Sequence, residues 1–351
     1  MTRSLSDSPS SFIFHPSSPY DALLLVSFGG PERPADVIPF LNNVLRGKPV
    51  RPERIEQVAE HYYAFGGVSP INEQCRALLA AVIAEINAHG PHWPVYWGNR
   101  NWHPLLGDTL QQMADDGVRR ALAFVTSAFG SYSGCRQYLE DIDRARADVG
   151  PKAPRVDKLR LFYNHPGFIE PMAERVASAL ASLSDECRAA ARLVFTAHSI
   201  PRSMAAPCDY QQQLREACRL VAERLRREPW DLVYQSRSGP PEQPWLEPDV
   251  NVHLRFLREK DGVRNVVLAP IGFLCEHMEV VYDLDVETAS VCDELGVAMV
   301  RSAPVGAHPR LVRMIRELIQ ERIDPQAPRL SLGTFGPSPD SCPADCCRFQ
   351  R

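Results

Sequence analysis

The sequence predicts an α/β protein with doubly wound parallel sheets. Short apolar segments of strand length alternate along the chain with longer helical segments, and glycine, proline or serine follows many of the apolar segments. This alternation indicates parallel strands that are joined by crossover helices. At 351 residues, the chain also exceeds the usual size of one hydrophobic core, so we expect two domains.

Eight apolar segments have the pattern of strands, in two groups of four that divide near residues 150–154. The predicted strands are 22–27, 95–98, 121–126, 159–163, 193–197, 232–235, 266–269 and 298–301. Helices are expected between them, for example over 71–89 and 212–227, and a last helix over 309–322. The first strand is followed by Gly29, Gly30 and Pro31 and not by a Gly-x-Gly-x-x-Gly motif, so a dinucleotide site is disfavoured.

The two ends of the chain differ from this body. Residues 1–19 are rich in serine and proline and too poor in apolar residues for a signal peptide, so we expect a disordered segment there. The longest apolar runs fall far short of the ~20 residues of a membrane-spanning helix. The formal net charge of −4 and the dispersed basic residues give no reason to expect nucleic acid. We therefore expect a cytoplasmic protein.

Three carboxylates recur at every fourth position near the end of the chain. Glu279, Asp283 and Glu287 would lie along one side of a helix, with His277 just before them. Like charges at this spacing repel each other, so their alignment suggests that a cation passes along them; a solvated acidic face is the alternative. The preceding segment 266–273 is typical of a buried parallel strand, and ligands bind at the carboxyl ends of such strands.

A second predicted strand ends in His198. A histidine at a strand end is commonly structural, but here two strand ends carry histidine and one of them also carries Glu279. We therefore expect a shared site. In it, His198 and Glu279 could bind a divalent metal or accept protons near neutral pH.

Several of these segments resemble ferrochelatases, namely 195–201, 235–241, 244–248 and 270–287, and the similarity extends over roughly residues 20–323. Segments 25–32, 65–72 and 98–102 are similar to the actinobacterial branch of that family. The resemblance implies two Rossmann-like, chelatase-type domains, each a four-stranded parallel sheet flanked by helices, with a porphyrin cleft between them. The expected division is 20–155 with 309–323 for the first domain, 156–308 for the second, and 324–351 for a linker and a cysteine-rich tail.

The resemblance also implies a reaction, the insertion of ferrous iron as a substrate into coproporphyrin III to give coproheme. His198 and Glu279 would face each other across the macrocycle as iron ligand and proton acceptor, with the roles left open, and His277 would assist them. Glu279, Asp283 and Glu287 would pass the iron inward, and the family implies a π-helix in this segment. A protoporphyrin IX chelatase is one alternative. A haem- or iron-binding sensor on the same fold is another, although the presence of both His198 and Glu279 argues against it.

The resemblance further assigns residues of the porphyrin cleft. His61, Tyr62, Ser69 and Tyr138 match family positions that line it, and Arg46 would pair with a propionate. Phe28 stands at a substrate-binding position where many relatives have a tyrosine that could ligate iron, so the metal would depend on His198. We expect a monomer, with coproheme decarboxylase as a candidate for transient contact.

Three of the ten cysteines, Cys342, Cys346 and Cys347, lie together near the end of the chain. In the resembled branch, such a tail and one internal cysteine hold a [2Fe-2S] cluster through four thiolates. We predict Cys135 as the fourth ligand, with Cys208 as the alternative. A structural zinc site is the competing interpretation, because the same soft thiolates suit zinc.

Overall fold

The protein is described by a computed structural model that covers residues 19–47, 50–343 and 345–348. The predicted disordered segment 1–19 therefore lies outside the described residues except for Pro19. The described residues form eight strands: β1 (Ala22–Ser27), β2 (Val95–Asn99), β3 (Arg120–Val125), β4 (Arg155–Lys158), β5 (Arg192–His198), β6 (Trp230–Gln235), β7 (Asn265–Ala269) and β8 (Ala298–Arg301).

The strands build two parallel sheets with the same order. The first sheet has the order β2-β1-β3-β4 and the second has the order β6-β5-β7-β8. In each half, the first strand lies inside the sheet between the second and the third, which requires crossovers on both faces. The predicted α/β class with two similar four-stranded halves is confirmed.

Helices cover the faces of both sheets. They are α1 (Val37–Val44), α2 (Pro52–Tyr63), α3 (Ile71–His89), α4 (Leu106–Asp115), α5 (Gln137–Val149), α6 (Pro166–Ala181), α7 (Asp185–Ala190), α8 (Arg202–Ala205), α9 (Tyr210–Leu225), α10 (Val250–Lys260), α11 (Met278–Tyr282), α12 (Ala289–Leu295) and α13 (Pro309–Ile323). Two π-helical turns, Tyr132–Arg136 and Asp283–Thr288, precede α5 and α12.

The helices α6 and α13 begin in the same way. His165 and His308 occupy the N-cap positions and accept hydrogen bonds from the backbone N–H groups of Gly167 and Arg310. A proline follows each histidine, and its fixed φ angle suits the first helical turn. These starts orient two helices that pack against each other, because α13 lies on both α3 and α6. The last helix therefore contacts one helix of each half, and its assignment to the first domain stays a prediction.

One hydrophobic core connects the two halves. Its members include Leu25 and Phe124 from the first sheet, Phe195 from the second, and Ile315 from α13. Smaller clusters fill the outer face of each sheet. The division of the chain into two domains remains a prediction, and the shared core shows that the halves are packed together along α13.

The fourth strand lies earlier than predicted. Residues 159–163 are buried but form no strand, whereas Arg155–Lys158 pairs with β3 and crosses the predicted boundary between residues 155 and 156. Phe162 instead packs against Phe124 and Phe168. The apolar run in the sequence thus indicated burial, which a core loop satisfies as well as a strand does. Among the described residues, no helix has both the length and the apolar character needed to span a membrane.

Candidate active site

The register of the second sheet brings His198 to its carboxyl edge. His198 is the last residue of β5 and lies opposite Gln235, the last residue of β6. Its ring Nδ1 is hydrogen-bonded to the carbonyl of Ser199, and its own carbonyl accepts a hydrogen bond of 3.0 Å from the Tyr210 hydroxyl. The ring is therefore fixed at one nitrogen, and Nε2 points away from the backbone.

The loop after β7 passes directly over the end of β5. Gly272 donates a backbone hydrogen bond of 3.1 Å to the carbonyl of Thr196. A Cβ atom at Gly272 would lie 2.7 Å from the Cα of Ala197, which is too close for any side chain. Glycine at this position lets the loop cross β5 and carry His277 and Glu279 to the edge where His198 lies. This is also the crevice between β5 and β7, where the direction of winding reverses.

His198, His277 and Glu279 form the centre of the site. The Nε2 atom of His198 lies 3.5 Å from Oε2 of Glu279, and Nδ1 of His277 lies 3.9 Å from the same oxygen. The side chain of Glu279 is 50% exposed and that of His198 is 33% exposed, so both remain accessible to a ligand. The ring of Phe273 meets His277 edge-on at 4.8 Å and supports its orientation.

The two histidines differ in their protonation. Burial disfavours a charged His198, but the negative charge of Glu279 and its hydrogen bond favour it, and the net effect raises the pKa of His198. Burial lowers the pKa of His277, and the charge of Glu279 opposes this only in part. The site thus joins a histidine that readily holds a proton to one that stays neutral.

The predicted series of carboxylates continues from Glu279 through a π-helix. The helix α11 ends at Tyr282, and the π-helical turn Asp283–Thr288 follows, where Thr288 Oγ1 donates a hydrogen bond of 2.7 Å to the Asp283 carbonyl. The expectation of a π-helix is confirmed. Glu287 and Glu279 are exposed and Asp283 between them is half-buried, and the series of carboxylates ends beside His198.

The electrostatics of Asp283 follow from this position. Burial raises the pKa of its carboxyl group to about 7, the neighbouring charges of Glu279 and Glu287 add to the shift, and the Ser236 hydroxyl opposes it. The pKa of Glu287 is raised by burial and by Asp249. The negative charge of Asp283 is therefore disfavoured by the carboxylates on either side of it, and a cation beside them would relieve that repulsion.

Two residues of the site were identified in the sequence only as part of a family motif. Ser236 donates a hydrogen bond to Oδ2 of Asp283, and Gln235 Nε2 donates one of 2.9 Å to the Glu279 carbonyl. Gln235 is almost fully buried, and Ser236 has a φ of 62°, in the left-handed region. Together they attach the end of β6 to the acidic segment. An apolar or acidic pattern could not reveal them, since neither residue is apolar or charged.

The first half contributes the opposite wall. Burial raises the pKa of Tyr62, and the charges of Glu279 and Asp283 raise it further, so this phenol faces the acidic segment. The ring of His61 stacks on that of Tyr282 at a centroid distance of 3.8 Å. Phe28 packs against Phe40, which also contacts Tyr62. These predicted cleft residues are therefore brought to the site or to its supporting wall.

The other predicted substrate contacts lie in different surroundings. Ser69, just before α3, is buried, and it lies beside Gly30, which belongs to the turn after β1. Tyr138 is buried in the core of the first half, with the Arg100 guanidinium over its ring at 4.4 Å. Arg46 is exposed after α1 and donates a hydrogen bond of 2.7 Å to the side chain of Asn43. Their contact with a porphyrin stays a prediction.

The tail cysteines contact Cys208, and the carbonyl of Cys346 also accepts a hydrogen bond of 3.2 Å from Arg136, the residue after Cys135. The thiol of Cys347 is hydrogen-bonded to that of Cys208 and lies 3.5 Å from that of Cys346, which is in turn paired with Cys342. The hydrogen bond from Cys347 lowers the pKa of Cys208 to about 7.

Cys135 is buried in the main core, on the π-helical turn before α5. The contact with the tail is thus made by Cys208, and the identity of a fourth ligand stays a prediction. Four thiols in a chain of contacts fit the donor set of an iron–sulfur cluster. Across residues 19–47, 50–343 and 345–348, however, no three His, Cys, Asp or Glu side chains are arranged as a preformed metal site.

The chain is similar in sequence to ferrochelatases over most of its length. The ferrochelatase family model matches residues 20–323. A ferrochelatase from Rhodopirellula baltica is 54% identical over 331 residues and a coproporphyrin III ferrochelatase from Streptomyces coelicolor is 50% identical over 353 residues, each match covering 94% of both chains. Among solved structures, SirB from Bacillus subtilis with Fe3+ superposes with a TM-score of 0.54 at 13% identity, covering 88% of this chain and 98% of SirB. At that identity, the superposition supports the fold alone.

Proposed function

The chain belongs to the ferrochelatase family, and on that premise we propose that it inserts ferrous iron into coproporphyrin III to give coproheme. The observation that carries the proposal is the approach of His198 Nε2 to Glu279 Oε2 at 3.5 Å, where a series of carboxylates reaches the edge of the second sheet. This arrangement supplies what metal insertion needs: a nitrogen ligand, an acceptor for protons and an acidic route for a divalent cation.

The proton balance explains why two such groups are needed. A free-base porphyrin carries two pyrrole N–H protons, and both must leave as one ferrous ion enters. Of His198 and Glu279, one would bind the iron and the other would accept the protons. Which residue takes which role stays open. His277, held neutral by burial, is close enough to Glu279 to assist it.

Iron must also lose its water before it enters the macrocycle. Carboxylate oxygens can replace water ligands a few at a time, so a series of them lowers the cost of each step. Glu287 is exposed, Asp283 is half-buried and Glu279 lies beside His198. Ferrous iron would thus be dehydrated progressively between solvent and the porphyrin.

The choice of coproporphyrin III rests on the relatives, because several that are about 50% identical over nearly the whole chain carry that name. The direct test is to incubate the purified protein anaerobically with ferrous iron and either coproporphyrin III or protoporphyrin IX, and to follow the Soret and Q bands. We expect rapid conversion of the Q bands with coproporphyrin III only. Equal or faster conversion of protoporphyrin IX would refute the substrate, and haem binding without insertion would indicate a sensor.

We also propose that Cys208, Cys342, Cys346 and Cys347 hold a [2Fe-2S] cluster. Support comes from the chain of thiol contacts that links these four residues. When bound, the cluster supplies a redox-active centre with visible absorption. The protein itself contributes the four thiolates and the position of the tail beside α9.

The colour of the purified protein tests this assignment. Anaerobically prepared protein should be brown, with equal amounts of iron and acid-labile sulfide, and Cys347→Ser and Cys208→Ser should both bleach it. Cys135→Ser should leave the colour unchanged, and bleaching by that variant would restore Cys135 as the ligand. A colourless protein with about one zinc and no sulfide would identify a zinc site, since Zn²⁺ has no visible transitions.

Three broader expectations remain predictions: a monomer, a cytoplasmic location and transient contact with a coproheme decarboxylase. Light scattering on the purified chain would test the first. A change in the rate of coproheme decarboxylation when this protein is mixed with that enzyme, compared with free coproheme, would test the third.

A further inference from the structure

Two buried cysteines from opposite halves of the molecule meet beside the metal-insertion loop. Cys75 lies in α3, and Cys275 lies in the loop between β7 and α11, two residues before His277. They are 0% and 5% exposed. Their thiols are hydrogen-bonded to each other, so a contact between side chains joins the first half to the loop that carries His277 and Glu279.

The neighbouring residues hold these two segments in place independently of the thiols. The side-chain oxygen of Gln74 accepts a hydrogen bond of 2.9 Å from the backbone N–H of Glu276. On the other side, the carbonyl of Leu274 accepts a hydrogen bond of 2.8 Å from Gly306. The positions of Cys75 and Cys275 are thus fixed by hydrogen bonds on either side of Cys275, one to the side chain of Gln74 and one from the backbone of Gly306.

We propose that Cys75 and Cys275 form a redox-sensitive clamp, in which oxidation to a disulfide ties the two halves together and slows iron insertion. The effect on turnover rests on the function proposed above. The formation of the disulfide does not, since it depends only on the contact between the two thiols.

The oxidant must be small, because both thiols are buried. A cavity of about 190 Å³ is lined by Gln74, Ala77 and Glu276 but by neither cysteine, so we take hydrogen peroxide, which is small enough to pass from this cavity to the adjacent thiols, as the oxidant. The hydrogen bond from Cys275 lowers the pKa of Cys75, whereas the pKa of Cys275 is raised. Cys75 is therefore the thiol that reacts first.

The reaction balances with one peroxide. The Cys75 thiolate attacks a peroxide oxygen, the O–O bond breaks, and hydroxide leaves while the Cys75 sulfur becomes a sulfenic acid. The sulfur of Cys275 then attacks the sulfenic sulfur, the S–O bond breaks, and water leaves after taking the Cys275 proton. Two thiols lose two electrons and two protons in total, and hydrogen peroxide is reduced to two waters.

A tether at this position would act on the movement of the two halves. On the function proposed above, porphyrin would enter between the wall that Tyr62 helps to form and the loop that carries Glu279, and Cys275 lies in that loop, four residues before Glu279. Product release and the opening of a cleft limit the turnover of many enzymes. A disulfide from α3 to the loop would hold the cleft at one width without removing any group that contacts the iron.

The test compares wild type with Cys75→Ser, Cys275→Ser and a matched control, Cys292→Ser, which replaces a buried cysteine of the second half. Each protein is treated with hydrogen peroxide, freed of it by catalase, alkylated and digested, and the peptide that links Cys75 to Cys275 is sought by mass spectrometry. Iron insertion is measured before treatment, after treatment, and after reduction with dithiothreitol.

We expect the linked peptide in wild type and in Cys292→Ser, with turnover reduced roughly tenfold or more and restored by dithiothreitol. The two other variants should be active when reduced, which also shows that they fold, and should keep their turnover after treatment. The proposal is overturned if the linked peptide is absent, if it forms without loss of turnover, or if Cys75→Ser loses the same activity, because tail thiols would then be responsible. Failure of the proposed function would show separately, as an absence of insertion in every reduced protein.

Discussion

Replacing Ser236 by alanine should impair the use of iron much more than the binding of porphyrin. The Ser236 hydroxyl donates a hydrogen bond to the Asp283 carboxylate, and Gln235 Nε2 reaches the same oxygen only at 3.5 Å. A hydrogen bond to a charged group contributes about 1.5–3 kcal/mol, and the lower value applies here because Asp283 is only half-buried. Since ~1.4 kcal/mol corresponds to a factor of ten, the iron concentration that gives half-maximal rate should rise about tenfold. The corresponding constant for porphyrin should change by less than about twofold, because no porphyrin atom needs this hydroxyl.

The assay is anaerobic steady-state insertion, with ferrous iron varied at saturating coproporphyrin III and then the reverse. Ser236→Gly is a second variant, because glycine removes the hydroxyl and also relaxes the left-handed backbone at this position. If the hydrogen bond is the cause, both variants should behave alike. Ser302→Ala is the matched control, since the buried Ser302 hydroxyl has no hydrogen-bond partner among the described residues. A loss of porphyrin affinity with unchanged iron dependence, or normal kinetics for Ser236→Gly, would refute the reasoning.

Three further predictions concern other groups. His198→Ala should reduce insertion by roughly a hundredfold or more while porphyrin still binds, as measured by its absorbance shift, and turnover within about tenfold of wild type would contradict the assignment. Glu287→Gln should raise the iron constant and leave the porphyrin constant unchanged; the reverse would place Glu287 in the wall of the cleft. Burial, and secondly the charge of Arg160, lowers the pKa of His165 from 6.5 to about 3, so protonation below pH 6.5 favours the unfolded chain. The free energy of unfolding should therefore fall by about 2 kcal/mol between pH 7 and pH 5 through this residue. His165→Asn keeps an acceptor for the Gly167 N–H group. In urea unfolding, this variant should lose that part of the pH dependence of the free energy of unfolding. An unchanged pH dependence would show that His165 does not titrate as described.

Much of the fold could be predicted because it depends on local patterns. Strands that are buried on both faces give continuous apolar runs, and α3 and α13 lie within a residue of their predicted bounds. The position of His198 and Glu279 at the same sheet edge also followed from strand ends, since parallel strands place their carboxyl ends together. The position of the fourth strand was predicted wrongly. Arg155–Lys158 is polar and pairs at a sheet edge, whereas the apolar residues after it fill the core without pairing.

The contacts of Gln235 and Ser236 required the three-dimensional register. Gln235 lies opposite His198 only because β5 and β6 pair in one particular alignment, and no property of the segment 235–236 alone specifies that alignment. The same holds for the pairing of Cys75 with Cys275, which depends on how α3 packs against the loop after β7. Single-residue patterns identify groups that can react, and the register decides which of them meet.

The contact of the tail with Cys208 also depends on three-dimensional packing, which the sequence pattern does not reveal. In the sequence, the linker after α13 is long enough for the tail to reach either cysteine. In the structure, three anchors fix its course: Arg160 donates a hydrogen bond of 2.9 Å to the Leu330 carbonyl, Leu332 donates one of 2.8 Å to the Asn164 carbonyl, and Asn164 Nδ2 donates one of 2.8 Å to the Gly336 carbonyl. Arg160 is itself held by Glu321 of α13. Because these polar groups are buried and must be satisfied, the linker follows the segment 160–164 and delivers Cys347 to Cys208. Weakening an anchor, for instance by Asn164→Ala, should therefore loosen the tail and lower the iron and sulfide content of the purified protein while Cys208 and the tail cysteines remain intact.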